Sequence, residues 1–133
     1  MFGLWSLKTE RSKHRKKKMR TLNDYFLTAR LADVSAASSV NIAVPDDGKI
    51  IKIISVLGGA ITSANSAVTS AVNGTTVTGG GFTVAFSGSA AGDIDTAEPT
   101  AANSVKEGDY ITITSDGGSS TTQPIDITVI IRR

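Results

Sequence analysis

The chain reads as all-β: a two-sheet antiparallel sandwich, jelly-roll-like, of about eight strands, behind a basic N-terminal extension. Three observations predict this. Short apolar stretches alternate with period two, the pattern of strands that turn one face to a core. Turn residues separate them at short spacing, and no helical period is legible after residue 20, so the crossovers of a parallel sheet have no place. The third is Pro45 to Leu57, PDDGKIIKIISVL. Its PDDG reads as a tight turn in which proline presets φ, the aspartates bond back to the backbone and glycine accepts positive φ. Beyond the turn, Ile51, Ile53, Ser55 and Leu57 alternate with Ile50, Lys52, Ile54 and Val56. β-Branched residues on both faces, closed by Gly58-Gly59, predict the central strand of the domain.

The other elements follow in order. Asp24 to Ala32 is a first strand, with Tyr25, Leu27, Ala29 and Leu31 alternating with Phe26, Thr28 and Arg30. Ser35–Ser39 is a small-residue loop. Val40, Ile42 and Val44 mark a second strand, expected to pair with the central strand as a hairpin through PDDG. Ala60 to Val72 carries Val68, Ser70 and Val72 on one face and ends at Asn73-Gly74, the strongest hairpin signal in the chain. Thr75–Thr78 returns from it. After Gly79–Gly81, Phe82, Val84 and Phe86 alternate as another strand. Ser87 to Ser104 reads as a long loop of small residues, a length often associated with function. Tyr110–Ser115 resumes with Ile111 and Ile113 on one face. Ile125, Ile127, Val129 and Ile131 close the fold, with Ile130 opposite. The inward residues predict a thin, aliphatic core and two long open sheet edges, which are hazardous unless another chain covers them.

Charge divides the sequence in two. Its 133 residues carry a net +2, enough length for one folded domain. Residues 1–20 hold eight Lys/Arg against Glu10, and residues 21–133 hold six Lys/Arg against eleven Asp/Glu. The basic arm is thus +7 and the domain −5, so the high pI is no argument for nucleic-acid binding by the domain. Met1 to Lys18 has an apolar head (Phe2, Leu4, Trp5, Leu7) before its basic run, the reverse of a secretory signal. It reads as a solvated terminus; the functional readings are a membrane-surface segment, a nucleic-acid arm, or a tether to an acidic partner surface. Met19 follows the basic run at once and offers an alternative start. No cysteine is present, so disulfides and thiolate metal sites are excluded. No apolar run reaches the ~20 residues of a membrane-spanning helix.

Catalytic constellations are missing. The single histidine, His14, lies in the basic run, remote from any serine–aspartate pair of the domain. The glycine clusters lack the lysine and strand-to-helix context of a phosphate loop. Asp93, Asp95 and Glu98 are the candidate ligands for a hard cation such as Ca²⁺, although their spacing departs from the EF-hand pattern. Asp46-Asp47 and Glu107-Gly108-Asp109 read as turn chemistry, with carboxylates capping backbone donors. The expectation is a protein without enzyme activity, cofactor or metal.

The order of pieces from Gly48 to Arg133 resembles bacteriophage capsid decoration (cement) proteins and their head-associated jelly-roll relatives. The residues that carry the resemblance are KIIKIISVLGGAITSANSAV, then VNGTTVTGGGFTVAFSGSAAGDIDTAEPTAANSVKEGDYITITSDGGSS, then ITVIIRR. The basic Met1–Lys18 segment departs from that pattern. The resemblance implies a virion protein, assembled in the host cytoplasm. It would sit on the outer capsid surface as a homotrimer and bridge subunits of the major capsid protein. A protein of that kind works through many weak contacts repeated by symmetry. The contact surfaces expected are the arm (Phe2, Trp5 and Lys16, Lys17, Lys18) and the long loop with Asp93 and Asp95. The alternative is a receptor- or glycan-binding head-fibre or tail module, which ought to expose aromatic side chains. Binding of nucleic acid through the arm is a further alternative, expected to weaken steeply with salt.

Overall fold

The computed structural model describes residues 23–133, so the basic arm lies outside it. Ten strands form two antiparallel sheets. They are β1 (Asp24–Leu31), β2 (Ala37–Ala43), β3 (Gly48–Leu57), β4 (Ser66–Val72), β5 (Thr75–Thr76), β6 (Phe82–Val84), β7 (Ile94–Ala97), β8 (Ser104–Val105), β9 (Tyr110–Asp116) and β10 (Ile125–Arg132). Sheet A runs β1-β10-β3-β7, with β8 also on β3; sheet B runs β2-β9-β4-β5, with β6 also on β4. β7 and β8 share one lane beside β3, and β5 and β6 share one beside β4. The ten segments therefore fill eight lanes, the eight-strand, two-sheet plan of a jelly roll.

β3 is central, as its sequence predicts, lying between β10 and the β7/β8 lane. It is also bulged. Ile130 pairs with Lys52 but Ile131 pairs with Ile50, so Ile51 is an extra residue on β3. A bulge resets the alternation. Ile50 therefore turns inward with Ile53, Ser55 and Leu57, and all four are buried. Ile51, expected to share a face with Ile53, is only half-buried. The β7/β8 lane breaks beside the bulge, where the segment from Glu98 to Asn103 includes Pro99 and cannot continue the ladder. Buried Asn103 spans this break: its carbonyl accepts from the Ile50 N–H at 2.9 Å and its Nδ2 donates to the Ile50 carbonyl at 2.7 Å.

β2 and β3 do not form the expected hairpin. β2 pairs with β9 in sheet B, while β3 belongs to sheet A. PDDG is instead a corner that carries the chain across the core. Both flanking strands turn apolar residues inward (Ile42, Val44; Ile50, Ile53), and these face one another between the layers. The corner is held from sheet A. The Tyr25 hydroxyl donates to the Asp46 carbonyl at 2.5 Å, and the Arg133 guanidinium meets the Asp46 carboxylate at 3.1 Å while lying over the Tyr25 ring. The capping expectation holds: Asp47 accepts from the Glu107 N–H, and Asp109 from the Lys106 N–H.

Asn73-Gly74 makes the β4–β5 hairpin, with φ of 49° and 86° as a type I′ turn requires. The Asn73 amide donates to Asp109 and accepts from the Tyr110 N–H, tying the hairpin to the start of β9. Among the described residues the fully buried apolar side chains are all aliphatic. Phe82 packs against their margin, and Phe86 is exposed.

Candidate functional site

The outer faces of the two sheets differ in chemistry. Sheet B presents Ser39, Asn41, Ala67, Thr69, Thr112 and Thr114. Sheet A presents an apolar stripe. Phe26 stands opposite Ile130 on β10; Ile130 lies diagonal to Ile54 on β3; Ile54 is followed on the same face by Val56, and Val56 stands opposite Ile94 on β7. Phe26 and Ile94 are each 64% exposed and Val56 39%. Two fork-on-fork ion pairs stand on the same face. Arg30 Nε and Nη2 bond Asp126 at 2.8 and 3.1 Å, and Arg132 bonds Asp24 at 2.9 and 3.0 Å. These exposed pairs are screened by solvent and add little stability. They neutralise four of the charges on this face, while Lys52 stands directly opposite Ile130 among the apolar residues.

Where the stripe ends at β7, the sandwich opens into a pocket of about 180 Å³ lined by Leu57, Val84, Ala85, Ser87, Asp93, Ile94 and Asp95. The expected long loop supplies most of this wall, but it is not a loop throughout. Ile94–Ala97 is strand β7, paired with Ile53–Val56, and Ser104–Val105 is β8. The small side chains of the segment hide its strand character, which comes from pairing with β3. The turn before β7 is built by Asp93, whose carboxylate accepts from the Ala90 N–H at 2.9 Å and whose carbonyl accepts from the Leu57 N–H at 2.8 Å.

Asp95 points inward, on the face of β7 that it shares with buried Ala97. Burial pushes its carboxyl above the usual carboxylate range, and the Asp93 charge adds to the effect. Directly opposite Asp95 in the register is Ser55, which is 1% exposed. Its Oγ is buried and has no hydrogen-bond partner among the described residues. Ser55 was legible only as the one hydroxyl on the inward face of an otherwise aliphatic strand.

Asp93 and Asp95 thus come together, but Glu98 does not join them. It lies past the end of β7, just before Pro99, and does not line the pocket. Among the described residues no group of three or more His, Asp or Glu side chains gathers for a metal ion, so the Asp93/Asp95/Glu98 set is not assembled. Phe2, Trp5, Lys16, Lys17 and Lys18 lie outside the described residues. Among the described residues no helix is long and apolar enough to cross a membrane.

No sequence-family model and no curated protein matches the chain. Solved structures do resemble it in fold. A chain of the acidic stable capsid structure of Helicobacter pylori bacteriophage KHP30 aligns over 84% of this chain and 88% of its own, with TM-score 0.57 and 9% identity. The CBM36-1 domain of a multidomain xylanase from the hindgut metagenome of Trinervitermes trinervoides aligns over 84% and 98%, with TM-score 0.52 and 12% identity. Eiger TNF from S. frugiperda aligns over 84% and 92%, with TM-score 0.50 and 9% identity. At such identities the likeness is one of fold: this chain is a jelly-roll sandwich of a kind found in a phage capsid structure, a carbohydrate-binding domain and a TNF.

Proposed function

We propose that this protein is a structural component of a phage virion, a decoration protein that binds the outer capsid surface and stabilises contacts between major capsid subunits. It acts as a homotrimer and without catalysis. The observation that carries this reading is the apolar stripe Phe26–Ile130–Ile54–Val56–Ile94 on the outer face of sheet A. A contiguous apolar surface on a small soluble domain marks a place where protein meets protein. A role that consists of contact also accounts for a fold whose carboxylates serve mainly as turn caps and ion pairs. The fold shared with a chain of the phage KHP30 capsid structure supports the same reading.

The alternative, a receptor- or glycan-binding head-fibre or tail module, draws support from the fold shared with a xylanase's CBM36-1 domain and from the exposed aromatics Phe26, Phe86 and Tyr110. These rings sit on different elements (β1, the segment after β6, and the start of β9) and do not make one sugar platform. The stripe favours the first reading.

The test is the mass of the purified protein alone, and its co-sedimentation with undecorated heads of the cognate phage. A trimer that binds heads is expected, with Phe26→Glu and Ile94→Glu reducing association at least tenfold while leaving the fold intact. A monomer indifferent to heads refutes the proposal. Binding to bacterial surface glycan in place of heads selects the alternative.

A further inference from the structure

We infer that the flank between β1 and β2 is the surface through which copies of this chain join, with β1 of one copy adding as a strand beside β2 of the next. The inference rests on the homotrimer proposed above and names the surface that builds it, leaving the apolar stripe free for the capsid.

This flank is an open side of the sandwich. β1 is an edge of sheet A and pairs only with β10; β2 is an edge of sheet B and pairs only with β9. The two lie side by side. Residues 32–36 join them, and at the far end the Tyr25 hydroxyl donates to the Asp46 carbonyl just past β2, so they run in opposite directions. The slot between them is closed at one end by Leu31 and Val34, both fully buried, and at the other by the Tyr25–Asp46 bond. Between these ends the inward side chains Leu27, Ala29 and Val40 pack against the core yet stay partly exposed. Backbone groups are open there too. The Val44 N–H donates to the Asp109 carbonyl and the Val44 carbonyl accepts from the Gly108 N–H, so alternation turns Ser39, Asn41 and Ala43 away from β9. On β1 the Asn23 carbonyl accepts from the Arg133 N–H, and the same alternation turns Phe26, Thr28 and Arg30 away from β10.

Exposed edges are normally blunted by charge, proline, bulges or brevity. The opposite edges of both sheets are blunted in this way: the β7/β8 lane is interrupted around Pro99, and the β5/β6 lane consists of two- and three-residue strands. β2, ASSVNIA, is by contrast seven residues in unbroken register without charge or proline. β1 carries Asp24 and Arg30, but Arg132 and Asp126 on β10 hold both toward the interior of the sheet. A second copy is the occupant that fits. One foreign strand would pair with one edge and leave the other open. A rotation axis parallel to the strands instead sets each eight-residue β1 antiparallel beside a neighbour's seven-residue β2, and the ring closes with both edges of every copy paired. Leu27, Ala29 and Val40 of each copy then meet those of its neighbours, and β2 brings no charge to oppose those of β1.

The experiment measures the mass of the full-length protein by sedimentation equilibrium and compares Thr28→Pro and Ser39→Pro, one on each edge. Proline is tolerated on an edge strand where the missing N–H faces outward, so circular dichroism should verify folding while self-association weakens at least tenfold. Ile94→Glu, on the stripe and away from the flank, should leave the mass unchanged. Because the chain has no cysteine, Thr28→Cys and Ser39→Cys give a readout independent of the proline variants. With a short bismaleimide the co-refolded mixture should cross-link between chains, and each variant alone should not. Trimers that survive both prolines, no cross-link in the mixture, or cross-linking of either variant alone overturn the inference and leave the virion role standing. A monomeric wild type also overturns it, and co-sedimentation with undecorated heads then decides the virion role separately. Oligomers that dissociate with both prolines but ignore heads uphold the flank and refute the virion role.

Discussion

Replacing Ile50 and Ile51 in turn by alanine tests the bulge on which the central strand depends. The two residues are adjacent and identical, so loss of β propensity, up to about 1 kcal/mol, is common to both variants. What differs is burial: Ile50 is wholly buried, and Ile51 is half-buried on the other side of the bulge. Ile→Ala removes three carbons, worth about 0.8 kcal/mol each when buried, so Ile50→Ala forfeits roughly 2.4 kcal/mol of transfer energy. The residual cavity brings the loss to about 3–4 kcal/mol, within the range for such substitutions. Ile51→Ala should cost about 1 kcal/mol. In a domain of this size the difference between the variants corresponds to a midpoint separation of about 8–12 °C. Urea unfolding followed by circular dichroism, with matched thermal melts, measures it. An uninterrupted strand, with Ile51 on the face of Ile53, predicts the reverse order. Equal losses, or a larger loss for Ile51→Ala, would refute the bulged register.

Three further outcomes are expected. Gly80→Ala should destabilise by about 1–3 kcal/mol, because a Cβ there would stand 2.2 Å from Ser70 Oγ, the group that donates to the Gly80 carbonyl; an unchanged urea midpoint would show that this corner has room. Ser55→Ala should raise stability by about 1 kcal/mol, since it deletes a buried hydroxyl without a partner among the described residues, and a loss of that size would show that the hydroxyl is satisfied. The pH dependence should separate two kinds of aspartate. Hydrogen bonds from Asn73 and the Lys106 N–H hold the Asp109 carboxyl below its usual range, so its contribution is present above about pH 4 and is lost as pH falls through the depressed folded value. Asp95 is raised by burial and then by Asp93, so its folded-state penalty is present at neutral pH and is relieved as pH falls through the raised value toward about 4. Urea midpoints should therefore drop for Asp109→Asn and rise for Asp95→Asn at pH 7, with both differences shrinking in strong acid. The same sign for both variants at pH 7 would contradict these environments.

Much of the architecture was legible because its signals are local. Alternation at Tyr25–Leu31, Tyr110–Ser115 and Ile125–Ile131 follows from the two-residue period of a strand, and the Asn73-Gly74 hairpin from the backbone angles those residues accept. The capping by Asp47 and Asp109 was legible for the same reason. The sheet to which each strand belongs was not legible in this way. Nothing within Val40–Leu57 distinguishes a hairpin from a corner, because both turn the same apolar residues inward. β7 was hidden in a run of small and acidic residues whose extended form comes from pairing with Ile53–Val56. Of the candidate site, Asp93 and Asp95 were visible as neighbouring carboxylates, whereas Glu98 lies past the end of β7 and outside their group.

By itself the sequence determined the class of fold, the central place of Gly48–Leu57, the aliphatic core and the contrast in charge between residues 1–20 and the rest of the chain. These depend on side-chain volume, periodicity and charge, which each residue carries wherever it lies. Only the tertiary structure decided that Ile51 is bulged, that Phe26, Ile130, Ile54, Val56 and Ile94 join into one stripe, and that Ser55 stands opposite Asp95. Those are facts of register between segments distant in the chain. A shift of one residue in pairing would send each of these side chains to the opposite face.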